Sequence, residues 1–66
     1  MKSYIHIEIS NGNKWEVVIF YDRSLRLWTV LSYRNDEQLY DAEYFNNKTE
    51  LLERYDLKTF TVGTRG

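Results

Sequence analysis

The first residues of the chain alternate between apolar and polar side chains. Residues 4–9 read Tyr-Ile-His-Ile-Glu-Ile, and this strict alternation is typical of a strand with one buried face. Asn11-Gly12 follows shortly after. Because both residue types accept positive φ, the pair is a strong signal for a two-residue hairpin turn. The pattern predicts that the chain turns back there into a second strand.

Two longer segments continue the extended pattern. Residues 14–22 and 25–33 are rich in β-branched and aromatic side chains, which favour strands. Arg23-Ser24 lies between them and is expected to close a second two-residue turn. That turn would place Phe20 directly opposite Leu27.

A fourth strand is predicted over residues 37–45, after a third two-residue turn at Asn35-Asp36. The tyrosines and the phenylalanine of this segment favour extended backbone, whereas its glutamates, glutamine and alanine also suit a helix. Strand and helix therefore both remain open for this segment. We take the strand as the working prediction.

One short helix is predicted after the fourth strand. Either Asn47 or Thr49 can cap it. With Asn47 as N-cap, Glu50 occupies the third helical position of a capping box, and the helix then runs to about Tyr55. Residues 58–62 alternate again and are expected to return as a strand at one edge of the sheet. We expect residues 62–66 to form a frayed tail.

The predicted fold is a single small α+β domain spanning residues 1–66. It consists of a four-stranded antiparallel β-meander, one short α-helix packed on one sheet face, and a fifth, C-terminal edge strand. Residues directly opposite each other in antiparallel strands share a face, so the meander has two faces, which we call A and B. Face A is expected to collect Ile5, Ile7, Ile9, Val18, Phe20, Leu25, Leu27, Leu31, Tyr33, Tyr40 and Tyr44.

We expect the helix to dock on face A through its leucines and Tyr55, so that face A becomes the core. Face B then has no element to cover it. Because it carries two tryptophans with arginines around them, we interpret it as a binding surface, although scattered apolar groups on a solvent face need no such explanation. The assignment depends on register, since a slip by one residue exchanges the faces. The predicted binding residues are Trp15, Val17, Ile19, Tyr21, Arg26, Trp28, Val30 and Arg34.

The length and composition suit one folded domain that gains support from association. A chain of 66 residues is close to the lower limit at which a hydrophobic core suffices. Without cysteine it has no disulfide and no thiol nucleophile, so self-association is the expected source of further stability. The sequence begins without an apolar leader and has no run of about 18 apolar residues. We therefore expect a cytoplasmic protein without a membrane partner.

Catalytic chemistry is not indicated by the sequence. His6 is the only histidine, and a general base needs a partner and a cleft. Asp41 and Glu43 lie two positions apart, but no histidine cluster or EF-hand spacing accompanies them. Pairing of these carboxylates with arginines is the better interpretation. We expect no enzymatic activity, no catalytic or metal-binding residues, and no cofactor.

The first of two binding functions is a small protein-binding module. It would act as an inhibitor or adaptor of a larger protein, or as a homodimer that associates through face B. The formal net charge is −1, yet seven of the ten acidic residues lie between Asp36 and Asp56. This acidic stretch could imitate the phosphates that a nucleic-acid-processing enzyme binds.

The second function is single-stranded nucleic-acid binding, with bases stacked on Trp15, Tyr21 and Trp28. Four strands followed by a helix are similar, in architecture only, to the dimeric PC4-like single-strand-binding proteins. The sequence pI of about 5.7 is far below the value above about 9 that is typical of such domains, so we favour protein binding. The residues expected to meet phosphates are Lys14, Arg23, Arg26 and Arg34.

Overall fold

The computed structural model describes residues 2–64. Six strands form one sheet, and a short helix and a 3₁₀ turn connect the last two strands. The antiparallel sheet and the α+β class that the sequence predicts are confirmed, but the sheet has six strands rather than four with an added edge strand. The elements are β1 (Lys2–Ser10), β2 (Asn13–Asp22), β3 (Leu27–Arg34), β4 (Glu37–Gln38), β5 (Glu43–Phe45), α1 (Lys48–Arg54), the 3₁₀ turn (Leu57–Thr59) and β6 (Thr61–Thr64).

The strands follow the spatial order β4-β3-β2-β1-β6, and β5 shares the outer edge of β3 with β4. The first hairpin has the predicted register, with Ile5 opposite Val18. Asn11 and Gly12 have φ values of 52° and 77°, as their tight turn requires. This hairpin is predictable because the turn signal and the alternation both lie within a few residues.

β6 pairs antiparallel with β1, so the predicted C-terminal edge strand is present but starts later than residues 58–62 indicate. Residues 57–59 form the 3₁₀ turn instead, with Asp56 as its cap. Residues 62–64, which we expected in a frayed tail, belong to β6. Residues 65 and 66 of that expected tail lie outside the described residues.

The loop between β2 and β3 has four residues, so the predicted two-residue turn at Arg23-Ser24 is wrong. Asp22 Oδ1 accepts hydrogen bonds from the backbone N–H groups of Ser24 at 2.9 Å and Leu25 at 3.2 Å, which stabilises the longer loop. Phe20 consequently lies opposite Thr29 rather than Leu27. The register differs by two residues, and since side chains alternate with a period of two, the sheet residues keep their predicted faces.

The predicted fourth strand over residues 37–45 is interrupted. β3 pairs first with β4, where Tyr33 lies opposite Gln38, and then with β5, where Thr29 lies opposite Tyr44. The segment opposite β3 uses two more residues than β3 does to pass from the first of these pairs to the second. The two additional residues bulge out of the hydrogen-bonded ladder. Tyr40 lies in this loop and is exposed, so it does not belong to face A.

The start of α1 follows the predicted capping. Asn47 is the N-cap, and its side-chain oxygen accepts a 2.9 Å hydrogen bond from the Glu50 N–H. The Glu50 carboxylate accepts in return from the Asn46 N–H at 3.3 Å, one residue before the position that a capping box normally uses. The helix ends at Arg54 with Tyr55 as C-cap.

The helix packs on face B, so the prediction that it covers face A is wrong. Leu51 is fully buried in a cluster with Ile19 and Val30, which are face B residues. β5 and β6 run in the same direction within the sheet, and their connection therefore crosses from one sheet edge to the other. Because such crossovers are right-handed in about 98% of proteins, the path of the chain determines which face is covered, irrespective of which face is more apolar.

Candidate functional site

The centre of the predicted binding surface is part of the core. Ile19 and Val30 are fully buried beneath Leu51. Val17 and Trp28 are partly buried and pack against the same cluster. The expectation that nothing covers face B is therefore wrong at its centre, because the crossover passes over it.

The four remaining predicted residues are exposed but do not form one surface. The Arg34 guanidinium lies 6.0 Å from the centroid of the Trp15 ring, whereas Tyr21 lies six residues further along the same strand, about 20 Å away. Arg26 lies outside the sheet, in the β2–β3 loop. The two ends of face B must therefore be considered separately.

Face A is the sheet face that remains uncovered. All six strands belong to one sheet, and α1 and the 3₁₀ turn both contribute side chains to the face B cluster. Within residues 2–64, no further helix or strand is left to pack on face A. The sheet therefore has two apolar faces and one helix to cover them, as the sequence predicts, but the helix covers face B and leaves face A open.

The middle of face A is buried by its own neighbours, and its outer residues are open to solvent. Val18 is 2% exposed among Ile5, Leu31 and other face A side chains in adjacent rows of the sheet. Towards the first hairpin, by contrast, Ile7 is 51% and Ile9 is 76% exposed. Large apolar side chains that are exposed on an uncovered sheet face are typical of an interaction site.

One polar group on face A is left without a partner. The Ser3 side chain is 1% exposed, and its hydroxyl has no hydrogen-bond partner in the described structure. Ser3 lies between Phe20 of β2 and Gly63 of β6. A buried hydroxyl without a partner costs stability, so this position is a local weakness of the isolated chain.

The other end of face B contains an open cavity of about 440 Å³, beside the β2–β3 loop. Its lining combines aromatic and cationic side chains, and only two of its five residues, Tyr21 and Trp28, belong to the predicted binding set. Lys2 and Tyr4 lie on face B because side chains alternate along β1, but neither belongs to the predicted binding set. The lining residues are Lys2, Tyr4, Tyr21, Arg23 and Trp28.

Tyr55 and Glu43 form the closest side-chain hydrogen bond that joins α1 to the sheet. Tyr55 Oη donates to Glu43 Oε1 at 2.5 Å, and Arg54 Nη2 lies 3.3 Å from Glu43 Oε2. The pKa of Tyr55 is raised to about 12, mainly because the phenol is buried and also because it donates a hydrogen bond to Glu43. The phenol therefore stays protonated at neutral pH, and the cluster holds the helix on the sheet.

Of the three polar candidates from the sequence, His6 and Glu43 make contacts within the fold. His6 Nδ1 lies 3.2 Å from the Thr59 carbonyl oxygen, and its ring packs against Phe60. Asp41 lies in the loop before β5, while Glu43 is occupied by its contacts with α1. Among residues 2–64, no three His, Asp or Glu side chains lie close enough together to hold a metal ion.

Comparison with protein-family models, curated proteins and solved structures finds no match to this chain. Within the described residues, no helix has the length and apolar composition needed to cross a membrane.

Proposed function

We propose that this chain is a non-enzymatic protein-binding module that associates through face A, and that its partner is a second copy of the same chain. The observation that carries the proposal is the uncovered apolar sheet face, whose outer residues Ile7, Ile9 and Tyr44 are each at least half exposed. Exposed apolar side chains of this size gain about 25 cal/mol for each Å² removed from water.

The area of face A supports a homodimer. Five strands lie side by side where β5 and β6 pair, four or fewer lie side by side towards the first hairpin, and β3 has eight residues. With strands about 4.8 Å apart and a rise of about 3.3 Å per residue, the flat area of the face is about 500 Å². A standard protein interface buries about 800 Å² of accessible surface on each partner. The accessible area of face A is larger than its flat area, because the side chains protrude from the sheet.

The charges on face A also permit two copies to meet. Lys14 pairs with Asp36 at 3.2 Å, Asp22 accepts hydrogen bonds from the β2–β3 loop, and Glu16 has a partner as well. An approaching copy would therefore meet charged side chains that already have interaction partners, which lowers the cost of covering a charged surface. Two sheets packed in this way form a sandwich with a shared core about 10 Å thick.

The small core of the single chain supports the same conclusion. The described part has four fully buried apolar residues, Val18, Ile19, Val30 and Leu51. Small domains with few buried residues commonly gain stability from oligomerisation. A second copy on face A would bury the exposed side chains of Ile7 and Ile9 and enlarge the core beside Val18.

Sedimentation equilibrium tests this proposal directly. We expect wild-type protein to have twice the monomer mass of 8.0 kDa at micromolar concentrations, and Ile7→Lys to have the monomer mass with an unchanged circular dichroism spectrum. Leu52→Lys is the matched control, because Leu52 is also about half exposed, at 49%, but lies on α1. It should remain dimeric. Wild-type protein that stays monomeric at high concentration would contradict the homodimer.

A further inference from the structure

The cavity beside the β2–β3 loop has the size of a small-molecule site. Its volume of about 440 Å³ lies within the range of roughly 300 to 1,000 Å³ that ligand pockets usually have. It lies on face B, on the opposite side of the sheet from the proposed dimer surface. A ligand bound in this cavity would therefore leave the proposed dimer surface free.

Aromatic rings form one part of the cavity wall. Tyr21 and Trp28 are cross-strand partners, and their ring centroids lie 5.6 Å apart with an interplanar angle of 65°. Tyr21 is 38% exposed, and Tyr4 adds a third ring from the neighbouring strand. The wall therefore offers a π surface on which a planar group can stack.

Cations without carboxylate partners form the rest of the site. Lys2 and Arg23 line the cavity, and Lys48 Nζ lies 5.9 Å from the centroid of the Trp28 ring. Within residues 2–64, none of these three cations lies in an ion pair, whereas Lys14 and Arg54 elsewhere do. No carboxylate is among the lining residues. The cavity is therefore positively charged although the whole chain is slightly acidic.

The loop that carries Arg23 is held in place by hydrogen bonds. Asp22 Oδ1 accepts from Ser24 and Leu25 backbone N–H groups, and these two bonds span the position of Arg23. The Asp22 carboxylate is therefore engaged by the loop backbone. Fixing the backbone of Arg23 reduces the ordering cost of a contact between its guanidinium and an anion.

We propose that this cavity binds a nucleotide, with the base stacked against the Tyr21 ring and the phosphate held by Lys2 and Arg23. A nucleotide combines a planar π system with a phosphate. Proteins that bind single-stranded nucleic acid without sequence preference usually stack the bases on aromatic side chains and contact the phosphates with Arg or Lys. A free nucleotide and a nucleotide within a single strand share this chemistry.

NMR titration of the full chain with adenosine monophosphate tests the proposal. The chain has two tryptophans, so each indole N–H gives one signal. We expect the Trp28 signal to shift and the Trp15 signal, at the other end of face B, to stay unchanged. Adenosine alone and inorganic phosphate alone should each bind at least about tenfold more weakly, since each lacks one half of the recognised group. No shift at millimolar concentration, or equal shifts of both indoles, would overturn the proposal.

Matched variants locate the phosphate contact. Arg23→Ala should weaken binding of adenosine monophosphate about tenfold, in line with the loss of one charge-assisted contact. Arg34→Ala, which removes an exposed arginine beside Trp15, should leave it unchanged. Both positions are exposed, so the spectra of both variants should show a folded chain. Equal affinity in wild type and Arg23→Ala would overturn the assignment of the phosphate.

Two further probes identify the source of the ligand. A short oligo(dA) strand that binds more tightly than adenosine monophosphate, with a steep salt dependence, would support a single-stranded nucleic acid. Equal affinities for the strand and the monophosphate would support a free nucleotide. A phosphotyrosine peptide that shifts the Trp28 signal at lower concentration than either would overturn the nucleotide in favour of a phosphorylated protein.

Discussion

Leu51 of α1 packs with Ile19 of the central strand β2, and neither side chain is accessible to solvent. This contact places the crossover on the sheet face that carries both tryptophans. It leaves the isoleucine-rich face open. The candidate surfaces of the protein follow from this arrangement, because the covered face retains a cavity at one end and the open face retains its whole area.

Replacing Leu51 by alanine tests this arrangement. We expect Leu51→Ala to lower the free energy of unfolding by about 2 to 5 kcal/mol, since it leaves a cavity among fully buried neighbours. Leu52→Ala should change it by less than about 0.5 kcal/mol, because Leu52 is about half exposed. Urea denaturation followed by tryptophan fluorescence measures both values. Equal effects of the two substitutions would contradict the packing of α1 on face B.

The hydrogen bond from Tyr55 to Glu43 makes stability depend on pH in the alkaline range. The pKa of Tyr55 is raised from 10.0 to about 12 by burial and by the Glu43 carboxylate. The folded state therefore holds the phenolic proton more tightly than the unfolded state does. The contribution of this bond is complete below about pH 10 and is lost as the pH rises from about 10 to about 12.

Tyr55→Phe should accordingly be less stable than wild type by about 1 to 2 kcal/mol near pH 8, because it leaves Glu43 without its hydrogen-bond donor. The difference should shrink when the same urea titrations are repeated near pH 11.5. A difference that stays constant across this range would show that the Tyr55 proton is not held by the folded state.

Arg26 adopts a backbone conformation that favours glycine. Its φ is 57°, in the left-handed region where a Cβ atom is unfavourable. Arg26→Gly should therefore raise the free energy of unfolding by up to about 1 kcal/mol. Ser24→Gly in the same loop should lower it, since Ser24 does not have positive φ and glycine only adds freedom to the unfolded chain there. Thermal denaturation of both variants distinguishes these effects, and destabilisation by Arg26→Gly would contradict the loop conformation.

The unpartnered hydroxyl of Ser3 gives a further prediction. Ser3→Ala should raise the free energy of unfolding by about 1 kcal/mol, because it removes a buried polar atom that has no hydrogen-bond partner. Ser32→Ala is the comparison, since Ser32 is only partly buried and should have a smaller effect. Differential scanning calorimetry of the three proteins measures this, and a loss of stability in Ser3→Ala would mean that the hydroxyl has a partner in solution.

Features that depend on a few neighbouring residues were predictable. The hairpin at Asn11-Gly12 and the Asn47 side chain that caps the helix by accepting from the Glu50 N–H have the expected geometry, because the groups involved lie within a few residues of one another. The length of the β2–β3 loop was not predictable in this way. It depends on which register gives β2 and β3 the better pairing, and both lengths keep the same residues on the same face.

The sequence by itself determined that the sheet has two apolar faces and that a single short helix can cover only one of them. The tertiary structure decided which face that is. Both faces are apolar enough to accept Leu51, so composition does not distinguish them, whereas the crossover from β5 to β6 can follow only one side of the sheet with the preferred hand. The hand of this crossover is defined only once it is known that β6 pairs with β1. No local pattern of residues specifies that pairing.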